Sequence, residues 1–310
     1  MSFTGSILPR GQCVLLTGAT GQVGSELLNT LLPLGRVVAP SRTEMDLANA
    51  DSVRQMVRRV RPRWIVNAGA YTAVDKAETE PEIAHAVNAR AVAAMAEEAL
   101  AVGAGILHFS TDYVFDGTNP NPYTEADPTS PINAYGRTKL AGEQALQSSG
   151  VGHAIFRTSW VYGVTGRNFL LTILRLSRER HSLPVVADQH GSPTWSRDLA
   201  KLSAHFLCMC EARSGGGDLA EALQEFGGLY HASGSGETTW YGLASEAVAL
   251  AKEREPSTIF AHLRPITTEE FPAPAKRPAN SRLSCVRLAD RIGWNMMEWR
   301  NSLGMVIGEL

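Results

Sequence analysis

The 310-residue sequence predicts an α/β fold built on a doubly wound parallel sheet, and three observations carry that expectation. Short apolar runs at Val14-Leu-Leu-Thr17, Trp64-Ile-Val-Asn67, residues 106–110 and residues 154–158 suit strands buried on both faces. Helical patterns at residues 25–32 and 82–100 alternate with them, as crossover helices do in a parallel sheet. A glycine trio, Gly18, Gly21 and Gly24, joins the first strand to the first helix. That junction makes the expected sheet Rossmann-type.

Composition sets the broad class. Hydrophobic residues make up 44% and charged residues 19%, a globular balance. A net charge of −2 and a pI near 6.5 give no electrostatic case for nucleic acid or membrane partners. No apolar run approaches the roughly 20 residues of a membrane span. The first ten residues lack the charged-then-apolar layout of a signal peptide. Cys13, Cys208, Cys210 and Cys285 are scattered, and read as reduced thiols of a cytoplasmic protein.

Each strand end carries an expected role. After the first strand, Gly18 allows a tight turn, Gly21 lets backbone approach a pyrophosphate, and Gly24 allows close helix–sheet packing. With Thr20, Gln22 and Val23, this turn is the expected cradle, because a helix N-terminus offers N–H groups to an anion. The second strand, from Arg36, runs to Ser41 and Arg42. A hydroxyl and a guanidinium there favour a 2′-phosphate over a bare ribose, so NADPH is the expected cofactor, with NADH left open. Asp46 and Leu47 follow at a spacing that could reach the adenine. Beyond the third strand, Ala68, Gly69, Ala70 and Tyr71 would let a cofactor lie against the backbone. The fourth strand delivers Ser110 and Thr111 to the same end of the sheet, with His108 expected to be a packed or hydrogen-bonded residue of its middle.

Thr111 is followed 24 residues later by Tyr135-Gly-Arg-Thr-Lys139. Four residues apart on a helix, Tyr135 and Lys139 share one face. An ammonium beside a phenol lowers a pKa that starts near about 10, making a usable general acid or base. Thr111, Tyr135 and Lys139 are therefore the expected catalytic set.

These motifs resemble the extended short-chain dehydrogenase/reductase superfamily and, within it, the dTDP-4-dehydrorhamnose reductase family. The narrower likeness rests on residues 67–78, Ser110-Thr-Asp-Tyr-Val-Phe115, Lys139-Leu-Ala-Gly-Glu143, Arg157-Thr-Ser-Trp-Val-Tyr162, residues 188–194, Gly228-Leu-Tyr-His231 and Arg277-Pro-Ala-Asn-Ser-Arg282, spanning about residues 12–307. The resemblance implies NADPH-dependent reduction of the 4-keto group of a dTDP-sugar, dTDP-4-dehydro-6-deoxy-L-mannose, to dTDP-L-rhamnose. By the same resemblance Tyr135 is the proton donor, Thr111 bonds the same oxygen, and Lys139 binds the nicotinamide ribose. Val74, Asp112, Tyr113 and Trp160 would line the substrate site, while Asn280 and Arg282 would lie where the diphosphate passes. Tyr71 stands where the family often has histidine. Some members hold Mg2+ at a dimer contact through acidic side chains. Glu26 matches one such position, but Arg197 stands where another carboxylate is expected, so no metal site is expected and the homodimer is left open.

The expected dinucleotide domain is residues 1–163, completed by about residues 187–245. Residues 164–186 and 246–310 form the expected smaller discontinuous α/β substrate domain, the cleft between being the default site. Two other readings stay open. One is another sugar-nucleotide epimerase, dehydratase or reductase of the superfamily. The other is a non-catalytic regulatory subunit resembling the β subunit of methionine adenosyltransferase, against which the retention of Thr111, Tyr135 and Lys139 argues.

Overall fold

The computed structural model describes residues 12–310; the reading of the first ten residues lies outside them. Five strands come first: β1 (Cys13–Thr17), β2 (Arg36–Val38), β3 (Trp64–Asn67), β4 (Gly105–Thr111) and β5 (His153–Thr158). Shorter ones follow: β6 (Val161–Tyr162), β7 (Ser182–Val186), β8 (His190–Gly191), β9 (Thr194–Trp195), β10 (Gly228–His231), β11 (Thr238–Thr239) and β12 (His262–Ile266). A six-stranded sheet runs β10-β5-β4-β3-β1-β2, and every pairing in it is parallel. The order reverses between β1 and β3, the place where doubly wound sheets open a crevice at their carboxyl ends.

Every residue of β1, β3 and β4 is buried, which is why these strands read as unbroken apolar runs. Alternate side chains feed two layers. Val14, Leu16, Trp64 and Phe156 pack with helices Gln22–Leu31 and Ser196–Ser214 on one face. Leu15, Ile65, Ile106 and Ile155 pack with helices Ala50–Val60 and Ala91–Val102 on the other. A third core gathers Leu170, Leu183, Leu243, Trp299 and Leu303 around the parallel pair β7 and β12.

Two elements differ from the sequence reading. The second strand stops at Val38, because the chain turns at Ser41, whose carbonyl accepts from the N–H groups of Glu44 and Met45; Pro40, which has no N–H, could not have extended the ladder. The helix expected over 82–100 starts at Pro81 and carries a π-turn at Ala86–Arg90 before Ala91–Val102. No helix among the described residues is long and apolar enough to cross a membrane.

One buried ion pair fastens the sheet to its covering helix. Arg63, just before β3, gives Nε and Nη2 to Glu211 at 3.0 and 3.1 Å, and Trp64 Nε1 donates to the same carboxylate at 2.6 Å. Both charged side chains are almost fully buried. Removing one member of such a pair strands the other charge. Glu211→Ala should therefore cost about 3–5 kcal/mol in urea unfolding, and adding Arg63→Met should recover most of the loss.

Candidate active site

The carboxyl ends of β1, β3 and β4 open into a cleft of about 1060 Å³. Its floor begins at the glycine turn. Gly18 has φ +68°, and a Cβ there would stand 2.6 Å from Gly69 N. A Cβ on Gly24 would collide with the Gly18 carbonyl, so strand, turn and helix close together only without side chains. The helix Gln22–Leu31 starts at Gly21 with no side-chain cap and no acidic residue in its first turn. Such an end suits a pyrophosphate, through N–H groups and the helix dipole.

Of the expected cofactor positions, Gly18, Thr20, Gly21, Gln22, Val23, Ser41, Arg42, Asp46, Leu47, Ala68, Gly69, Ala70, Tyr71, Ser110, Tyr135 and Lys139 line this one cleft. Gly24 sits behind the turn as a packing position. At the far end Ser41 gives both its N–H and its hydroxyl to Glu44 Oε2, each at 2.8 Å. Arg42 is 85% exposed and lies 3.9 Å from Asp46. Thr158, Val161 and Arg167, which the sequence reading did not single out, also line the cleft.

At the near end the helix Ala134–Gln147 carries Tyr135 and Lys139. Its start is specified twice: Asn133 Oδ1 accepts from Gly136 N at 2.8 Å, and Glu78 Oε1 from Ala134 N at 2.7 Å. Gly136 lies against the Tyr113 carbonyl and Gly142 against the Asn88 carbonyl, with no room for a Cβ at either. Asn88 sits in the π-turn, where its side chain accepts from Tyr71 N and donates to Tyr71 O and to Thr138 Oγ1. Its role in shaping the cleft was invisible in the sequence, because no helical period marks a π-turn.

Lys139 is 2% exposed, and its Nζ donates to Phe109 O at 2.6 Å. Burial pulls its ammonium down to about 8, opposed by the charge of Glu143. Glu143 is itself held bidentately by the buried Arg157, at 2.9 and 2.6 Å. Tyr135 meets Tyr113 edge-to-face, with centroids 5.8 Å apart. Burial and then the Asp112 charge raise the Tyr135 phenol above its ordinary value, while the Thr111 hydroxyl lowers it. The sequence had suggested a phenol lowered by the lysine. In this geometry desolvation and the Asp112 charge act together and outweigh the Thr111 hydrogen bond, and the phenol stays protonated.

Thr111 donates to Asp112 Oδ1 at 2.9 Å and accepts from Tyr113 N at 3.2 Å. Burial raises the Asp112 carboxyl to about 6, offset partly by the Ser281 and Thr111 hydroxyls. Tyr71 lines the cleft and donates its hydroxyl to Glu80 at 2.5 Å.

The other expected substrate positions lie farther out. Val74 opens the short helix Val74–Ala77, and its neighbour Asp75 pairs with Arg277 at 2.8 Å. Trp160 stacks flat on Trp240 at 3.6 Å, with its backbone at φ +47°, a conformation costly for a bulky residue. Asn280 Nδ2 donates to Asn119 O and Asn121 O. Arg282 bonds Asn280, Glu237 and Pro120 O, and lines a second cavity of about 510 Å³ instead of the main cleft. At the position where the family resemblance placed a carboxylate, Arg197 pairs with both Glu26 and Glu309.

Comparison with known proteins agrees with this architecture. The family model described as RmlD substrate binding domain matches residues 12–310. A dTDP-4-dehydrorhamnose reductase of Burkholderia thailandensis is 43% identical over 299 residues, covering 96% of this chain and 98% of the relative. The crystal structure of a dTDP-4-dehydrorhamnose reductase from Clostridium acetobutylicum superposes with TM-score 0.85 at 35% identity, over 96% of this chain and 99% of that one. That of the Bacillus anthracis enzyme, solved in complex with NADP, has TM-score 0.82 at 34% identity, with the same coverage of 96% and 99%. Matched end to end by the family model and by relatives at this level of identity, the chain belongs to the dTDP-4-dehydrorhamnose reductase family.

Proposed function

We propose that the cleft binds NADPH and a dTDP-sugar together, and that the protein reduces the 4-keto group of dTDP-4-dehydro-6-deoxy-L-mannose to give dTDP-L-rhamnose. The observation that carries this reading is that Tyr135 and Lys139 line the same cleft as an uncapped helix start, with the Thr111 hydroxyl within hydrogen-bonding reach of the Tyr135 phenol. The residues fit the cofactor. The glycine turn leaves its backbone bare for a pyrophosphate, and Ala68, Gly69 and Ala70 keep the floor flat.

What the bound cofactor supplies is a hydride for the carbonyl carbon. The chain's own groups handle the other product of that addition, the charge on oxygen. As the carbonyl pair moves onto oxygen, Tyr135 Oη gives its proton to it, and the phenolate left behind is stabilised by the Lys139 ammonium. A raised phenol is fully protonated at neutral pH and so carries the proton to be given, and a sugar alkoxide is basic enough to take it once the phenolate is stabilised. Thr111 can turn its hydroxyl from Asp112 to the same oxygen, a bond that strengthens as charge develops. Tyr113, edge-on to Tyr135, would form the wall against which the sugar lies.

At the adenosine end, Arg42 is the cation available to a 2′-phosphate. Glu44 works against it by occupying both donors of Ser41. The preference for NADPH over NADH therefore rests chiefly on one exposed guanidinium.

Three outcomes are expected. Protein mixed with NADPH and dTDP-4-dehydro-6-deoxy-L-mannose should oxidise the cofactor, followed by absorbance; a rate no higher than the blank sinks the reductase reading and favours a regulatory subunit. Tyr135→Phe should cut turnover roughly 10²-fold or more while NADPH binding, followed by fluorescence, stays nearly intact. Arg42→Ala should raise the KM for NADPH roughly tenfold, the loss of one charge-assisted hydrogen bond, and leave that for NADH within about twofold. Equal effects on both cofactors would remove Arg42 from the 2′-phosphate.

A further inference from the structure

Below the cleft a row of buried polar side chains crosses three strands. Lys139 Nζ stands 3.4 Å from His108 Nε2, and His108 Nδ1 is 3.0 Å from Asn67 Nδ2. Thr17 Oγ1 is 2.6 Å from Asn67 Oδ1 and accepts from Gly69 N at 3.1 Å. His108, Asn67 and Thr17 are each buried, with at most 2% exposure, in β4, β3 and β1. Nothing in the reaction as described needs these three residues. Yet they join Lys139 to the backbone N–H of Gly69, just beyond β3.

We propose that His108 is the positioning residue of Lys139, and that the Lys139–His108–Asn67–Thr17 row reverses the direction of its hydrogen bonds when Lys139 gains or loses its proton.

A neutral imidazole has one donor and one acceptor, and an amide one of each kind of end. When Lys139 is an ammonium, all its hydrogens point outward, so His108 Nε2 must accept. The imidazole hydrogen is then on Nδ1, and Asn67 must turn its oxygen toward it and its NH2 toward Thr17. When Lys139 is neutral, Nε2–H can donate to the amine, Nδ1 accepts from Asn67 Nδ2, and Thr17 donates to Asn67 Oδ1. The structure holds the second arrangement, in which every member has a partner; in the first, Thr17 Oγ1 accepts from both Asn67 and Gly69 N, and mixing the two sets two donors face to face. Burial excludes water that could relieve such a clash.

His108 stays neutral throughout, because burial first, then the charges of Lys139 and His153, hold its pKa well below the ordinary value. The groups facing this pair are few. Glu143 and Tyr135 come from the lysine's own helix, Phe109 O from β4, and His153 from β5; Glu143 is in turn fixed by Arg157. His108 therefore supplies one acceptor that favours the ammonium, the form the Tyr135 phenolate needs. The proposal rests on Lys139 serving in the reaction for its catalytic meaning. Its hydrogen-bond content does not.

The test uses full-length protein with 15N-labelled histidine and no substrate. The His108 resonance is assigned by its loss in His108→Gln, and the ring tautomer is followed by NMR from pH 6.5 to 9.5. Lys139 titrates near 8, so below that pH the Nδ1–H tautomer is expected, changing to Nε2–H above it. In Lys139→Met the change should vanish. A single tautomer across the range in the wild type overturns the proposal, whether or not the protein reduces a ketosugar.

Kinetics give the second arm. The ammonium is the supporting form, so kcat/KM should fall as pH rises through the Lys139 titration. In His108→Leu the loss of an acceptor should move that fall about one pH unit lower. His108→Gln, which keeps an acceptor oxygen, should return it toward wild type. A limb unmoved in His108→Leu assigns His108 a merely structural role and overturns the positioning claim.

Discussion

A primary ammonium sealed inside an α/β core is the constraint around which this site is arranged. Desolvating Lys139 costs several kcal/mol unless neighbours repay it, and burial accordingly pulls its ammonium down to about 8. Two partners oppose it, the Phe109 carbonyl and the Glu143 charge, while the His108 ring stands 3.4 Å away. Glu143 cannot stand alone in the core either, so Arg157 accompanies it. Arg157 in turn lies over the Phe115 ring at 5.1 Å. One functional charge has thus recruited a carboxylate, a guanidinium and an aromatic face, linking the catalytic helix to β4 and β5.

Close approach is what makes those partners reachable. The helix Ala134–Gln147 touches backbone on two sides, Tyr113 O at Gly136 and Asn88 O at Gly142. A side chain at either position would lift the helix and lengthen the 2.6 Å bond from Lys139 to Phe109 O. The π-turn at Ala86–Arg90 serves the same end. It leaves the Asn88 side chain free to hold both backbone groups of Tyr71, which lies along the cleft. A regular helix from 81 to 102 would place that amide elsewhere. The irregularity is part of the site, as π-turns often are.

The sequence showed the fold well and the cofactor end of the site nearly as well, for a physical reason. A parallel sheet buries its strands on both faces, and a glycine turn followed by a helix has few alternative uses. Both leave signals within a few adjacent residues. The helix pair Tyr135 and Lys139 is legible on the same ground. What stayed hidden depends on long-range register. That His108 meets Lys139, 31 positions away, and Asn67, 41 away, follows from β4 lying beside β3, which no local pattern states. The phenol's pKa was misjudged because adjacency in a helix says nothing about desolvation. Arg282 could be aligned with a family position from its motif, but not the competing hold of Glu237 and Pro120 O on its guanidinium.

That last difference bears on how the two ends of the cleft are built. The glycine-turn end of the cleft is mostly backbone: bare glycines, alanines and a helix start. The stretch 275–283, by contrast, is held down by side-chain and backbone bonds to several separate segments. Asn133 bonds Lys276 O, Asp75 grips Arg277, Asn280 spans Asn119 and Asn121, and Ser281 N reaches His190 O. These partners come from the segment after β3, the long connection between β4 and β5, and β8. A stretch fixed at so many points is held in register with the helix that carries Tyr135, whose capping residue Asn133 bonds it directly. Orientation of this kind lowers a barrier before any charge develops. Asn280 and Arg277 accordingly spend their hydrogen bonds on the protein itself.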